Sequence, residues 1–287
     1  MPTRPLHLLP LLVVVALLVP AHPVAAGTAR IVTSGSRSQP TVALTFDDGD
    51  SPANARAILS TLEASGVPAT FFPYTDAMRA DPAVWHAVAD AGYPIGNHTI
   101  SHLDLPKISD ADLRYQIAGA TSLIKQFSGH APIDVMRPPY GDYDGRVART
   151  AAAAGYPTLM LWDVDPRDWS GISAATITRR VLDSARDGSV ILLHAGPNHT
   201  PEALPAIIAG LRARGFGFVT VPQLLGGAHG VGPGGEAAPL PPAQVPHPVS
   251  VSTPSQPVPS APLGQPVILL RGLEPPLPTV RNWMRLP

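Results

Sequence analysis

The chain has 287 residues, 45% of them hydrophobic, which is ample for one sizeable core, but 36 prolines are too many for a compact domain throughout. A formal net charge of −1 leaves no electrostatic case for nucleic acid or an anionic membrane surface, and suits a neutral polymer or small molecule. There is no cysteine, which excludes disulfides and thiolate metal sites, so any metal must rest on His, Asp or Glu.

Residues 1–26 have the pattern of an export signal: Arg4 in a positive start, an apolar core over 8–19, and small residues at Val24, Ala25 and Ala26 for cleavage. That core is too short for a comfortable membrane-spanning helix, so the protein is expected to be secreted or wall-associated; a retained N-terminal anchor is the alternative. The polar, small residues 27–39 are expected as a spacer.

Residues 40–225 alternate between short β-rich runs and longer helical patterns. Strands are expected over 42–46, 69–73, 93–97, 134–137, 158–162, 190–194 and 217–221. Helices are expected over 53–64, 82–91, 110–127, 145–154, 174–187 and 202–214. In the third helix Leu113, Ile117, Ala120 and Ile124 recur at helical spacing, and Ser109 with Asp112 resembles a capping box. Gly66, Gly92, Gly155, Gly188 and Gly215 stand where helices should stop. Such alternation indicates parallel β-α units, closed as a barrel or open as a doubly wound sheet. Beyond 225, a glycine-rich stretch over 226–235 and Pro/Ser/Val/Gln low complexity over 239–266 cannot build a core. Residues 226–287 are therefore expected as a disordered tail, in contact with a wall polymer or the catalytic domain.

The chemistry-bearing residues cluster at the ends of the expected strands. Val42, Leu44 and Phe46 alternate with Ala43 and Thr45, a buried strand that ends in Asp47 and Asp48, with Gly49 free to turn sharply. Ligands gather beyond the carboxyl ends of parallel strands, and two adjacent acids there call for a cation to offset them. The alternative is a pair of exposed acids opening the next helix. His98 and His102, four apart after the strand over 93–97, would lie on one face of a helical turn, close enough to grip one ion. With one carboxylate from the first loop they make a three-ligand site that leaves positions open, as catalysis requires. Arg137, in Arg137-Pro138-Pro139-Tyr140-Gly141, supplies the cation and is expected to orient a carboxylate by a two-pronged hydrogen bond. The two prolines hold the backbone rigid, which makes the Tyr140 N–H a fixed donor to a developing oxyanion. Trp169, in Asp165-Pro166-Arg167-Asp168-Trp169, either paves a sugar-binding groove or belongs to the core. His194, ending an apolar strand, is a satisfied core residue if alone and a candidate general acid beside a carboxylate and a metal.

These five segments, in this order, resemble the signature of the polysaccharide deacetylases, the NodB-like domain of the family-four carbohydrate esterases, from about Val42 to Leu225. The resemblance implies an α/β fold, a distorted (β/α) barrel of about seven strands. It implies a divalent metal, usually zinc with cobalt or nickel as alternatives, on Asp48, His98 and His102. It also implies Asp47 as base, held by Arg137, and His194 as acid, tuned by Asp168. Leu192 would line the acetyl pocket and Trp169 the groove. The expected substrate is an N-acetylglucosamine polysaccharide such as peptidoglycan or a chitin-like oligomer. One departure stands at Asp50-Ser51-Pro52, where many relatives have proline directly after the glycine. The rivals are O-deacetylation of xylan by the same site, and a wall-binding protein with a dead esterase domain. The usual mark of the latter is a missing base, ligand or acid, and none is missing.

Overall fold

The computed structural model describes residues 27–226. The expected export signal over 1–26 and the expected tail from 227 onward lie outside the described residues. Seven strands are named there: β1 (Arg30–Val32), β2 (Thr41–Asp48), β3 (Ala69–Pro73), β4 (Val135–Met136), β5 (Thr158–Met160), β6 (Ser189–His194) and β7 (Gly217–Phe218). The helices are α1 (Pro52–Ser65), α2 (Thr75–Ala80), α3 (Pro82–Asp90), α4 (Asp110–Ser128), α5 (Gly145–Ala153), α6 (Ala174–Ser184), α7 (Thr200–Ala213) and α8 (Val221–Leu224).

β2 is the axis of the arrangement. It pairs in parallel with β3 on one side, Leu44↔Ala69 to Asp48↔Pro73, and with β6 on the other, Val42↔Ser189 to Asp47↔His194. β4 and β1 flank β5 in a second parallel sheet. Hydrogen bonds join the two sheets into a ring. Gly96 N–H donates to Phe71 O and Asn97 N–H to Val135 O on one side; Asp163 N–H donates to Val190 O and Leu192 N–H to Val164 O on the other. The result is a small, irregular parallel barrel wrapped by helices.

Period-two alternation divides β2 between two environments. Val42, Leu44 and Phe46 face the helix layer and pack in one core cluster with Ile58, Leu62, Trp85 and Ile207. Ala43 joins Phe72, Val135, Met160 and Val190 in another. Each fully buried Leu, Ile or Phe contributes about 1.5–3 kcal/mol, so both layers are needed to offset chain entropy. The helix ends follow the sequence. Ser51 caps α1 by accepting Asn54 N–H, Gly66 ends it in the left-handed region (φ 58), and Ser109 accepts Asp112 N–H at the start of α4.

Four local expectations are corrected. Residues 93–97 fill their place in the ring through isolated bridges at Ile95 and Asn97 rather than a continuous strand; Pro94, without an N–H, cannot sustain a ladder. The expected spacer over 27–39 supplies β1, whose Arg30, Ile31 and Val32 pair with Thr158, Leu159 and Met160. The last strand stops at Phe218 because Thr220 and Gln223 form a capping box that opens α8. α2 was not expected, being only six residues and too short to show a period.

Candidate active site

β2 delivers two carboxylates to one end of the barrel by different means. Asp47, on the inner face with Ala43 and Thr45, is 3% exposed. Strict alternation would send Asp48 to the helix side. Instead Asp48 (φ 69) and Gly49 (φ 86) are both left-handed, which ends the strand and turns Asp48 back toward the histidines. The Trp85 indole seals this turn: a Cβ on Gly49 would lie 2.3 Å from it.

Arg137 follows β4 and is fully buried. Its Nη1 donates to Asp47 Oδ1 (2.5 Å) and Thr45 Oγ1 (2.9 Å), Nε to Met160 O (3.0 Å) and Nη2 to Leu161 O (3.2 Å). Its guanidinium carbon also lies 4.4 Å from the centroid of the Phe72 ring. Burial pulls the Arg137 pKa down from its ordinary value, and the Asp47 charge opposes this. The expected two-pronged grip is corrected to a single-pronged one, because the barrel's carbonyls claim the remaining donors. That leaves Asp47 Oδ2 directed at the histidines, 3.8 Å from His98 Nε2.

His98 and His102 do come together, with ring centroids 4.9 Å apart, but not through a helical turn. They sit on an irregular loop in which Thr99 (φ 72) and His102 (φ 56) are left-handed. Buried amides hold that loop. Asn97 Oδ1 accepts Thr99 N–H and its Nδ2 donates to Ile117 O; Gln116 Oε1 accepts the N–H groups of Ile100 and Ser101. His98 Nδ1 lies 2.7 Å from Arg137 O. A carbonyl can only accept, so Nδ1 carries the hydrogen and Nε2 presents a lone pair.

That lone pair faces Asp48. Asp48 Oδ1 is buried without a hydrogen-bond partner, 3.7 Å from His98 Nε2 and 3.4 Å from His102 Nε2. Among the described residues this is the three-donor cluster whose atoms all lie within 4.8 Å of one another. Two ligands of one tetrahedral zinc ion stand roughly 3.3 Å apart, given bonds of about 2.0–2.1 Å, so the spacing and the unpartnered oxygen fit a divalent ion. Burial alone would raise the Asp48 pKa, but the facing imidazoles of His98, His194 and His102 outweigh it and hold the carboxyl at about 2. Burial, reinforced by His98, lowers His102 to about 4, which keeps it neutral and able to ligate.

His194 ends β6 in register with Asp47. Its Nδ1 lies 2.7 Å from Asp168 Oδ1 and its backbone N–H donates to Asp168 Oδ2 (2.8 Å). Burial works against the charged imidazole, but the Asp168 hydrogen bond and charge, with Asp47 and Asp48, raise its pKa to about 9. Leu192 lies two residues earlier on the same face, 3% exposed and paired with Thr45.

The rim is aromatic. Tyr140 is left-handed (φ 61) and 66% exposed, with its ring 4.6 Å from the His102 ring. Tyr74 packs on His102 as well, at 5.6 Å, and its N–H donates to Asp48 O. Trp169 is 54% exposed, which removes the core reading. Asp50 lies against the loop after β6, with Oδ1 2.9 Å from where a Cβ on Gly196 would stand.

The structure thus brings Asp47, Asp48, His98, His102, Arg137, Asp168 and His194 together, with Tyr140 over His102. Among the described residues, the non-glycine positions at positive φ are Asp48, Thr99, His102, Tyr140 and Arg167, all in these segments. Backbone strain concentrated in this way is characteristic of functional sites. Sequence reasoning missed the scaffold of Asn97 and Gln116, and Thr200, whose hydroxyl donates to Asp168 Oδ2. Gln116 carried a signal, as a polar side chain on the apolar face of Leu113, Ala120 and Ile124; Asn97 and Thr200 carried none.

The model of the polysaccharide deacetylase family matches residues 34–159. A peptidoglycan-N-acetylglucosamine deacetylase of Bacillus cereus is 37% identical over 195 residues, covering 67% of this chain and 70% of the relative. A chitooligosaccharide deacetylase of Sinorhizobium fredii is 34% identical over 207 residues, 68% of this chain and 96% of the relative. Among solved structures, a peptidoglycan N-acetylglucosamine deacetylase superposes with a TM-score of 0.64 at 36% identity, over 68% of this chain and 92% of that one.

Proposed function

The chain belongs to the polysaccharide deacetylase family, and we propose that it is a secreted, metal-dependent enzyme that removes N-acetyl groups from N-acetylglucosamine units of peptidoglycan or a chitin-like polymer. The observation that carries this reading is the register of Asp47 with His194, each fixed by a buried partner of opposite charge beside a three-donor cluster.

In this reading Asp48, His98 and His102 hold a divalent ion, zinc by preference. When bound, such an ion lowers the pKa of a water from about 15.7 toward about 7 and polarises an acyl oxygen. Asp47 is the base: with Oδ1 tied to Arg137, Oδ2 accepts a proton from water as its oxygen bonds to the acetamide carbon. The Tyr140 N–H steadies the negative charge that develops on the acyl oxygen. His194 is the acid: Asp168 holds Nδ1–H, so the proton that leaves is the one on Nε2, and it goes to the nitrogen as the C–N bond breaks. Leu192 receives the acetyl methyl, and Trp169 borders the sugar. Acetate and a free amine are the products. Export through residues 1–26, a catalytic domain extended by β1 and ending near 225, and a wall-contacting tail beyond it complete the reading.

Acetate release by chelated protein, with and without added zinc, tests it on N-acetylglucosamine oligomers, peptidoglycan and acetylated xylan. Zinc-dependent release from the first two supports the proposal. Release from xylan alone makes the protein an O-deacetylase, and no release from folded, zinc-loaded protein makes it a binding protein.

A further inference from the structure

Thr200 has no part in the reaction just described, yet it is completely buried beside it. It is the first residue of α7, one past the N-cap position, which His199 fills without a side-chain hydrogen bond. The Thr200 hydroxyl donates instead to Asp168 Oδ2, at 2.5 Å.

That bond completes a full set of donors around a buried carboxylate. Oδ1 of Asp168 accepts from His194 Nδ1 (2.7 Å) and Trp169 N–H (3.1 Å); Oδ2 accepts from His194 N–H (2.8 Å) and Thr200 Oγ1–H. The first three donors belong to the 168–169 turn and the end of β6, so Thr200 alone ties the carboxylate to the helix layer. Thr200 is itself placed from the His194 side. Its N–H donates to Asn198 Oδ1 (2.9 Å), and Asn198 Nδ2 donates to His194 O (3.2 Å). From α1, Asn54 Nδ2 pins the same loop through Gly196 O and Asn198 O. His194, Asp168, Thr200 and Asn198 thus close a ring of hydrogen bonds through the His194 backbone, beside its imidazole.

From this geometry we infer that Thr200 is a positioning residue for the proton donor. Its hydroxyl fixes the rotation of the Asp168 carboxylate, keeps Oδ1 in line with Nδ1–H, and so aims His194 Nε2 at the departing nitrogen. The inference rests on the reading of His194 as the acid. Asp168 Oδ1 already accepts from Nδ1–H, so that hydrogen stays committed to the carboxylate hydrogen bond. The proton that moves is therefore the Nε2 proton, to nitrogen, as the C–N bond breaks.

The test exploits the leaving group. An amine must be protonated to depart, whereas the aryl oxide of an aryl acetate leaves without help, so only the first reaction depends on a well-aimed acid. The zinc-loaded full chain is assayed on an N-acetylglucosamine oligomer and on an aryl acetate, as wild type, Thr200→Val, Thr200→Ser and His194→Gln. Loss of a hydrogen bond to a charged group predicts that Thr200→Val lowers kcat on the oligomer about tenfold or more, with KM unchanged. The amide-to-ester rate ratio falls with it, Thr200→Ser restores the ratio, and His194→Gln lowers it further. If Thr200→Val fails to fold, Thr200→Ala provides the same comparison. An unchanged ratio in the Thr200 variant, with a lowered one in His194→Gln, overturns the inference and leaves His194 as the acid. A ratio unmoved in both overturns the acid assignment and the inference with it.

Discussion

Asp47 and His194 are register partners on neighbouring parallel strands, on the same inner face, and each is held by a buried residue of opposite charge: Arg137 Nη1 on Asp47 Oδ1 at 2.5 Å, Asp168 Oδ1 on His194 Nδ1 at 2.7 Å. In the proposed reaction one residue takes a proton and the other gives one, and the pleat of two strands sets their separation. The consequences are measurable.

The first concerns pH. His194 must be protonated to act as acid, and Asp168 with the β2 carboxylates raises it to about 9 against burial. Deacetylation should therefore persist through neutral pH and fall as pH rises through about 9, in a kcat–pH profile. The same shift has a sign for stability. The folded value lies above the ordinary 6.5, so the contribution is full below 6.5 and is lost as pH rises from there through about 9. Denaturant midpoints of the metal-free protein should drop over that window, and His194→Gln should flatten the drop.

Arg137 predicts a stability cost larger than any surface ion pair would. Arg137→Leu leaves the buried Asp47 carboxyl group without its cation, which should cost about 3–5 kcal/mol in urea unfolding and abolish acetate release. A variant within about 0.5 kcal/mol of wild type would show that Asp47 finds another partner.

Gln116 touches no expected ligand, yet its amide oxygen holds the backbone of the His98–His102 loop at Ile100 and Ser101. Gln116→Leu should weaken zinc binding by about 10–100-fold in a calorimetric titration, as loss of a supporting contact does. Unchanged affinity would mean that Asn97 and Thr99 suffice to shape the loop. His98→Ala, by comparison, should lose stoichiometric zinc and activity together.

How much of this was legible in the sequence differs by element. β2 and β6 were, because their apolar residues outlast any loop and end in ionisable groups. The segment around Ile95 was expected as a strand from its apolar residues, but Pro94, a signal present in the sequence, interrupts its ladder and leaves only isolated bridges. His98 and His102 were legible as a pair and misread in conformation. Their spacing fits a helix, while the left-handed turns at Thr99 and His102 depend on Asn97 and on Gln116, which is remote in sequence. The pairing of Asp47 with His194 was beyond reach from pattern alone, since no local signal says that β6 lies beside β2. Thr200 reaches Asp168 only through the docking of α7.

The most direct measurement is acetate release from an N-acetylglucosamine oligomer by Asp47→Asn, with zinc content determined on the same sample. Asp47 lies outside the three-donor cluster, so the variant should keep stoichiometric zinc while its rate falls on the order of 10²–10⁴-fold. Wild-type acetate release by zinc-loaded Asp47→Asn would contradict the account, because no base would then be acting at the end of β2.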